Sequence, residues 1–401
     1  MTTTAASDDA VDVTPTGVRH FSHLPTAVTD DLFCVHPECI TPAHPRTQLA
    51  LALGATLYVP GTRPDLADTI TRRHAEGVTS MVIDLEDAVA DHEERLAIES
   101  TVETLRTLAG RDAASMLLFV RTRRSDQIRS IATDLGPSTV LNGFVIPKFG
   151  GASARADLRA VHDAENVVGA KLFAMPVLES PALVHRETRD GELAHISEVL
   201  GEFRDHVLAV RVGATDMCGL FGIRRDRDLT IYDVRVAADV IASVVNHLGR
   251  CDDTGHIVTG PVWEYFADHE RLFRPTLRQT PFQEHDAVLF RQQLVRRDID
   301  GLLREIALDR ANGMHGKTVI HPAHVAPVHA LSAVTHEEYH DALDILADET
   351  GGVRRSSYRN KMNELKPHRN WALRVMDRAA VFGVTKEGVD FVDLLTALAP
   401  S

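Results

Sequence analysis

Residues 80–87, with the sequence SMVIDLED, decide the fold, because an apolar and β-branched run ends there in a cluster of acidic residues. A nearly continuous apolar run, without strict alternation, predicts a strand that is covered on both faces. Similar runs recur along the chain, and each is followed by a helical pattern. Strands that alternate with helices indicate βαβ units and a parallel sheet. The eight predicted strands are 56–60, 80–87, 116–122, 143–148, 172–180, 207–216, 257–263 and 317–321.

Eight such units favour a closed barrel over an open, doubly wound sheet. No GxGxxG follows the first strand, which disfavours a dinucleotide-binding Rossmann domain. We therefore predict an α/β fold, a (β/α)₈ TIM barrel over residues 51–331, with an N-terminal extension at 1–50 and a C-terminal helical extension at 332–401. The predicted helices include 63–76, 93–108, 231–248 and 284–311.

The composition narrows the possible functions. The formal net charge of −14 argues against a nucleic-acid surface, which needs clustered cations. No run of about 18 apolar residues occurs, so no membrane-spanning helix is predicted. Four cysteines among 401 residues do not make a disulfide scaffold, which favours a cytoplasmic location. Residues 1–16 are expected to be a disordered leader, since they lack a basic and apolar signal pattern.

Cys34 and Cys39 flank His36 in the N-terminal extension, which raises the possibility of a zinc site. A second Cys/His pair at ligand spacing is missing. Free thiols are therefore the favoured interpretation of this segment.

Polar residues gather where the predicted strands end. In a barrel, all carboxyl ends of the strands surround one mouth, where catalytic residues lie. One charged strand end means little, but convergence of nearly all of them predicts an active site. These residues are Arg63, Glu86, Asp87, Arg121, Lys148, Glu179, Asp216 and His321.

The ordered set of strand-end sequences resembles the HpcH/HpaI aldolase and citrate lyase beta-subunit superfamily. It comprises YVPGTRPDLADTI at 58–70, VIDLEDAVADHE at 82–93, FVRTR at 119–123, FVIPKFGG at 144–151, PVLESPALV at 176–184, VGATDMCGLFG at 212–222 and GKTVIHPAHVAPV at 316–328. The long segment before LGATLYVPGTRP looks closest to the C–C bond lyases of tellurium-resistance gene clusters.

Two departures from the CoA-dependent members of that superfamily bear on the substrate. Residues 267–285 form an additional loop, and the tail after Leu331 does not match the lid that supplies a catalytic acid to a neighbouring subunit. Whether this chain uses CoA is therefore open.

The resemblance implies a metal site at Glu179 and Asp216, which match the two metal-binding carboxylates of the family. Few carboxylates, completed by water and ligand oxygens, suit Mg²⁺, with Mn²⁺ as an alternative. Such an ion acts as a Lewis acid where negative charge develops. The competing interpretation is that each carboxylate caps a helix or pairs with a local arginine.

The resemblance also implies the substrate contacts. Arg121 matches the arginine that faces the enolate or carboxylate, and a guanidinium can fork onto two such oxygens. Arg63 matches an arginine that contacts the substrate, phosphate or CoA. Gly213 and Ala214 are small, which allows a substrate to approach the backbone. The alternatives are a rim ion pair for Arg121 and a solvated loop position for Arg63.

Glu86 and Asp87 are predicted to orient Arg121 and metal-bound water, or else to cap the following helix. Lys148 is predicted to stabilise charge near the substrate, with a metal-free Schiff base as the alternative. His321 is a further candidate for a neutral base.

The leading functional hypothesis is a Mg²⁺-dependent carbon–carbon lyase that cleaves by a retro-aldol or retro-Claisen reaction through a metal-stabilised enolate. Its substrate would be a small anionic oxo-acid, an acyl-CoA or a phosphorylated metabolite. The alternatives are a non-catalytic barrel subunit or scaffold and a phosphoenolpyruvate-handling mutase-type enzyme. We expect a homo-oligomer, a trimer or hexamer, in which segments 336–346 and 360–398 dock either on another subunit or on their own barrel.

Overall fold

The computed structural model of the chain describes residues 17–111, 115–138, 140–266, 297–347 and 351–399. The predicted leader at 1–16, the additional loop at 267–285 and the first part of the predicted helix 284–311 lie outside the described residues. Within the described ranges, no helix is both long enough and apolar enough to span a bilayer.

Eight parallel strands close into a barrel, as predicted, because the last barrel strand pairs with the first. Each strand pairs with its neighbours in chain order, and helices connect them on the outside. The strands in chain order are β1 (Phe33–Val35), β2 (Ala55–Pro60), β3 (Ser80–Asp84), β4 (Leu117–Arg121), β5 (Gly143–Ile146), β6 (Phe173–Leu178), β7 (Ala209–Val212), β8 (Ile257–Gly260), β9 (Met314–Val319), β10 (Val353–Arg355), β11 (Met362–Glu364) and β12 (Val384–Thr385), of which β2–β9 form the barrel.

The helices follow from amphipathic sequence, with one apolar stripe facing the barrel. Their longer members bury residues at helical spacing, as Ile128, Ile131 and Leu135 do on one helix. Among the described residues, the α-helices are Thr26–Leu32, Arg46–Leu51, Leu66–Ala75, Glu94–Ala109, Ser125–Leu135, Ala154–Val168, Pro181–Val184, Arg186–Glu202, Ala214–Gly219, Arg235–Leu248, Arg297–Ala311, Val325–Ser332, His336–Leu346, Arg369–Phe382 and Phe391–Leu398.

Several strands end earlier than the sequence predicted, because the functional loops begin inside the apolar runs. β3 ends at Asp84, whose carboxylate then accepts a hydrogen bond from the Glu86 backbone N–H at 3.0 Å and starts a turn. β7 ends at Val212, and Asp216 lies in the first turn of the short helix Ala214–Gly219. The predicted strand ends were therefore wrong by one to four residues at six positions, which lie in the loops after β3, β5, β6, β7 and β9: Glu86, Asp87, Lys148, Glu179, Asp216 and His321.

Both extensions pack under the N-terminal face of the barrel. A buried apolar cluster joins Phe33 and Leu49 of the N-terminal part to Phe382 and Leu395 of the C-terminal part. The helix Arg369–Phe382 thus contacts its own barrel on the side opposite the mouth. The predicted alternative in which this segment folds back on its own chain is the one that the structure contains.

Two buried histidines meet beneath β2, one from the N-terminal extension and one from the helix Val325–Ser332. His20 Nε2 lies 3.1 Å from the Ala52 carbonyl oxygen, and the Ala55 backbone N–H donates to His329 Nε2 at 3.2 Å. The two imidazole rings meet edge to face, with 4.6 Å between their centroids. Burial lowers the pKa of His20 to about 3, so this contact requires neutral rings.

A buried ion network attaches the helix Arg297–Ala311 to the barrel. Lys317 of β9 donates to Glu305 at 2.9 Å and to Asp309 at 2.7 Å, and all three side chains are almost fully buried. Arg225 pairs with the other Glu305 oxygen. The network fixes β9 between its neighbours and thereby the last wall of the mouth.

Candidate active site

The mouth of the barrel contains a cavity of about 330 Å³. It is formed at the carboxyl ends of the strands, where barrel enzymes place their catalytic groups. Its charged lining residues are Asp84, Asp87, Arg121, Glu179, Arg211 and Asp216.

Arg121 is held by carboxylates on the neighbouring strand and its loop. Its Nε and Nη2 both donate to Asp84 at 2.6 Å, a bidentate pair, and its Nη1 lies 3.0 Å from Glu86 and 3.4 Å from Asp87. Bidentate pairing fixes the plane of a guanidinium. Although burial acts to lower it, the hydrogen bond and charge of Asp84 raise the pKa of Arg121, which stays a cation. The predicted rim ion pair with Glu86 and Asp87 exists, and Arg121 lines the cavity as well.

Lys148 lies across Glu86 from Arg121. Its Nζ is 2.5 Å from Glu86 Oε1, and its backbone N–H donates to Glu179 at 3.0 Å from a left-handed conformation with φ +49°. Although partial burial acts to lower it, the hydrogen bond and charge of Glu86 raise the pKa of Lys148. A Schiff base needs a neutral amine, so this environment favours charge stabilisation by Lys148.

Glu86 therefore lies between Arg121 and Lys148, and burial has the largest effect on its pKa. Burial, followed by the side-chain hydrogen bond that Glu86 shares with Asp87, raises the pKa of Glu86, while Arg121 and Lys148 act in the opposite direction. Glu86 is not among the residues that line the cavity, whereas Asp87 is, with 57% of its side chain exposed. Glu86 therefore contacts Arg121 and Lys148 outside the cavity lining, and Asp87 faces the cavity.

Glu179 and Asp216 face the same cavity, as the sequence predicted. Burial raises the pKa of Glu179 to about 7, and the like charge of Asp216 adds to the shift. The Glu179 carboxylate presses against Gly213, where a Cβ would lie 1.6 Å from Oε2. Gly213 is therefore needed for the position of Glu179, and Ala214 is buried beside it. Neither carboxylate forms an ion pair with a described basic side chain.

A divalent cation fits this pair of carboxylates. Mutual repulsion disfavours two ionised carboxylates at one site, and a divalent ion would remove that repulsion. Among the described residues there is no group of three or more His, Cys, Asp or Glu that could hold a metal. Two protein oxygens with water and substrate completing the shell suit Mg²⁺, which keeps several waters. The same search of the described residues finds no metal-binding group at Cys34, His36 and Cys39, and neither cysteine forms a disulfide there.

The floor of the cavity holds residues that the sequence analysis missed. Arg211 of β7 is 1% exposed, donates from Nη2 to Thr318 at 2.5 Å, and has no hydrogen-bond partner for Nε in the described chain. Its guanidinium lies 5.6 Å from the Tyr58 ring centroid, and that of Arg121 lies 5.3 Å from the same ring. Both arginines can stack on this ring. The sequence signal that could have identified Arg211 is a charged residue inside the apolar run 207–212.

Two predicted residues lie away from the cavity. Arg63 is exposed, pairs with Asp65 at 2.9 Å and donates to Thr69. His321 accepts a hydrogen bond from the Ala323 N–H at 3.2 Å and stacks on Phe266, so it caps the turn after β9. The structure therefore does not bring Arg63 or His321 to the other site residues.

A closed (β/α)₈ barrel with carboxylates and arginines around its mouth defines the class of the protein. The residues 47–384 match the family of C–C bond lyases of the TIM-barrel fold, and the chain belongs to that family. It is thus a carbon–carbon lyase, as the resemblance predicted. A search of curated proteins finds no match.

Solved structures support the fold. A citrate lyase from Burkholderia xenovorans LB400 is similar with a TM-score of 0.59 and 14% identity, over 87% of this chain and 96% of that chain. The protein CitE from Mycobacterium tuberculosis, in complex with magnesium, acetoacetate and coenzyme A, is similar with a TM-score of 0.51 and 18% identity, over 81% of this chain and 97% of that chain.

Proposed function

We propose that this lyase is Mg²⁺-dependent and cleaves a carbon–carbon bond of a small anionic oxo-acid by a retro-aldol or retro-Claisen reaction. One observation carries the proposal: Glu179 and Asp216 share the cavity without an ion pair to a described basic residue, while burial and repulsion raise the pKa of Glu179. When bound, Mg²⁺ would supply Lewis-acid stabilisation of developing negative charge. Glu179 and Asp216 are the residues that would hold it.

The arginines account for an anionic substrate. Arg211 lies at the floor of the cavity with a buried Nε that has no partner among the described residues, so it can receive a carboxylate. Arg121 presents a fixed guanidinium at the side, held by Asp84. Pre-oriented cations stabilise charge that develops in a transition state without reorganisation.

Proton transfer falls to the exposed loop carboxylate. Cleavage removes a proton from the substrate hydroxyl, and the electron pair of the broken C–C bond moves to the departing fragment, which becomes an enolate. Asp87 is the lining carboxylate with most of its side chain exposed, so it is placed to take the hydroxyl proton. The proton taken up by Asp87 then adds to the enolate carbon, directly or through water, which leaves Asp87 ionised again and completes the reaction.

Two substrate classes remain in competition. The coenzyme A and acetoacetate bound by CitE favour a thioester. The tail after Leu331, which does not match the lid of the CoA-dependent members, favours a CoA-free metabolite. The resemblance to tellurium-resistance lyases points the same way.

Oligomerisation as a trimer or hexamer stays part of the proposal, and sedimentation analysis tests it.

The metal titration tests the proposal first. Calorimetry on metal-free protein should detect Mg²⁺ binding that Glu179→Gln and Asp216→Asn each abolish. Asp157→Asn is the matched control, since Asp157 is also a buried carboxyl with a raised pKa but lies outside the cavity. Equal Mg²⁺ binding by all four proteins, or by none, would refute the metal-dependent mechanism. Parallel assays with acetyl-CoA plus glyoxylate and with free 2-oxo acids then separate the two substrate classes.

A further inference from the structure

A second cavity, of about 350 Å³, lies at the N-terminal face of the barrel, opposite the mouth. Its walls come from the start of β8, from the helix Arg46–Leu51 and from the helix Arg369–Phe382. Both extensions thus contribute to it. Its basic lining residues are Arg46, Arg204, Arg250, His256 and Arg374.

Only some of these groups have a structural role that uses their donors. Arg204 donates to the Thr254 and Gly255 carbonyls at 2.8 Å and so holds the loop before β8. Arg374 also donates from Nη2 to Cys251 Sγ at 3.7 Å. However, Arg374 Nη1 and His256 Nδ1 are buried and have no hydrogen-bond partner among the described residues. His256 is only 8% exposed. Buried polar groups without partners are uncommon in native proteins and call for a ligand or a functional reason.

The cavity is also electropositive in an otherwise acidic chain. Four arginines face two carboxylates, Asp253 and Asp377, and burial raises the pKa of Asp377. Burial, with Arg204 and then Arg46 as further causes, lowers the pKa of His256 to about 4. Burial and the charge of Arg204 likewise lower the pKa of Arg46. Like charges are therefore held close together here at a cost that a bound anion would remove.

We propose that this cavity binds a small phosphate dianion, either free phosphate or a phosphate monoester, through Arg374, Arg46 and His256. The surplus of two positive charges matches a dianion. Cationic groups on several walls suit a tetrahedral anion with oxygens in all directions, whereas the two oxygens of a carboxylate lie in one plane. The volume falls within the range of small-molecule sites and leaves room for the organic part of a monoester.

Cys251 provides a direct readout, because it is an exposed free thiol that lines the cavity. Phosphate should slow its alkylation saturably in the wild-type protein, measured by mass spectrometry. Cys34, exposed but remote from the cavity, is the internal control. Arg374→Met should raise the phosphate concentration that gives half-maximal protection by at least about tenfold, since hydrogen bonds to charged groups contribute that much binding free energy or more. Arg95→Met, with the same charge change at a 91% exposed side chain, should leave it unchanged.

The protection of Cys251 is compared at matched ionic strength for four added compounds, which are inorganic phosphate, ribose 5-phosphate, succinate and potassium chloride. Tighter protection by ribose 5-phosphate identifies a monoester site, and equal or tighter protection by phosphate identifies a site for the free ion. The proposal is overturned if neither protects Cys251, if succinate or chloride protects equally, or if Arg374→Met keeps full protection. If Arg374→Met does not fold, thermal stabilisation of the wild type by phosphate, absent with chloride, decides the same question.

Discussion

Replacing Glu179 with glutamine should stabilise the metal-free protein at pH 8. The carboxyl is buried, and its pKa is raised from an ordinary value near 4.5 to about 7. A carboxyl with a raised pKa in the folded state stabilises below its unfolded pKa and loses that contribution as pH rises through its folded pKa. At about 1.4 kcal/mol per pH unit, the ionised side chain costs about 3 kcal/mol above pH 7.

Glutamine removes this cost while its carbonyl oxygen can still accept the hydrogen bond from the Lys148 N–H. Unfolding entropy of about 2.1 cal/mol/K per residue converts the difference to a Tm increase on the order of 3–4 °C for a chain of this length. Near pH 5 the increase should nearly vanish, because the wild-type carboxyl is then protonated. Differential scanning calorimetry at both pH values, with a chelator present, measures the effect.

Magnesium should reverse the order of stability. An ion at about one thousand times its Kd adds about 4.1 kcal/mol to the wild type, which exceeds the cost of the ionised carboxyl, and nothing to a variant that cannot bind it. A Glu179→Gln protein that is less stable than wild type at pH 8 without metal would refute the electrostatic reasoning. A variant that is stabilised by Mg²⁺ as much as the wild type would refute the ligand assignment.

Three further substitutions test the surrounding structure. Asp84→Asn should lower the free energy of unfolding, measured by chemical denaturation, by about 3 kcal/mol, since it breaks a buried ion pair with Arg121. It should also lower lyase activity. An unchanged stability would contradict the role of this ion pair. Lys317→Met should lower the free energy of unfolding by about 3–5 kcal/mol at pH 7, because it leaves a buried carboxylate without its cation. The loss should be smaller at pH 5, since burial raises the pKa of Asp309 to about 6 and protonation then neutralises this carboxylate. A loss of stability that does not vary with pH would contradict this reasoning. Between pH 6.5 and pH 5, His20→Gln should lose about 2 kcal/mol less free energy of unfolding than the wild type, since a buried neutral histidine destabilises the fold as pH falls below its unfolded pKa. An unchanged dependence of stability on pH would contradict this prediction.

The barrel and most of its mouth were predictable from local sequence. A charged residue directly after a buried strand has to lie at one end of the barrel, so the positions of Glu179 and Arg121 follow from strand order alone. Arg63 carries the same signal, yet it faces solvent and pairs with Asp65. Sequence gives the location of such a residue along the strand axis, and it does not give the direction of the side chain in a loop.

The missed residues lie where periodicity carries no information. In a strand that is covered on both faces, alternation disappears, so the periodicity does not show that Arg211 points into the barrel. Its position at the floor depends on Thr318 and Thr56 from strands that are distant along the chain. The second cavity was equally unpredictable, because Arg46, His256 and Arg374 meet only after both extensions fold under the barrel.

The charges of the mouth also bear on the scaffold alternative. Arg121 and Lys148 are neutralised by Asp84 and Glu86, whereas Arg211 at the floor has no such partner among the described residues. Unpaired buried charges of either sign destabilise a fold, and apolar residues of similar size would remove the cost. A barrel that served only as a scaffold would have no physical reason to keep an unpaired cation and a carboxylate with a raised pKa at one cavity. A ligand that carries an anionic group and engages a divalent cation would compensate both charges, which is why the arrangement favours catalysis.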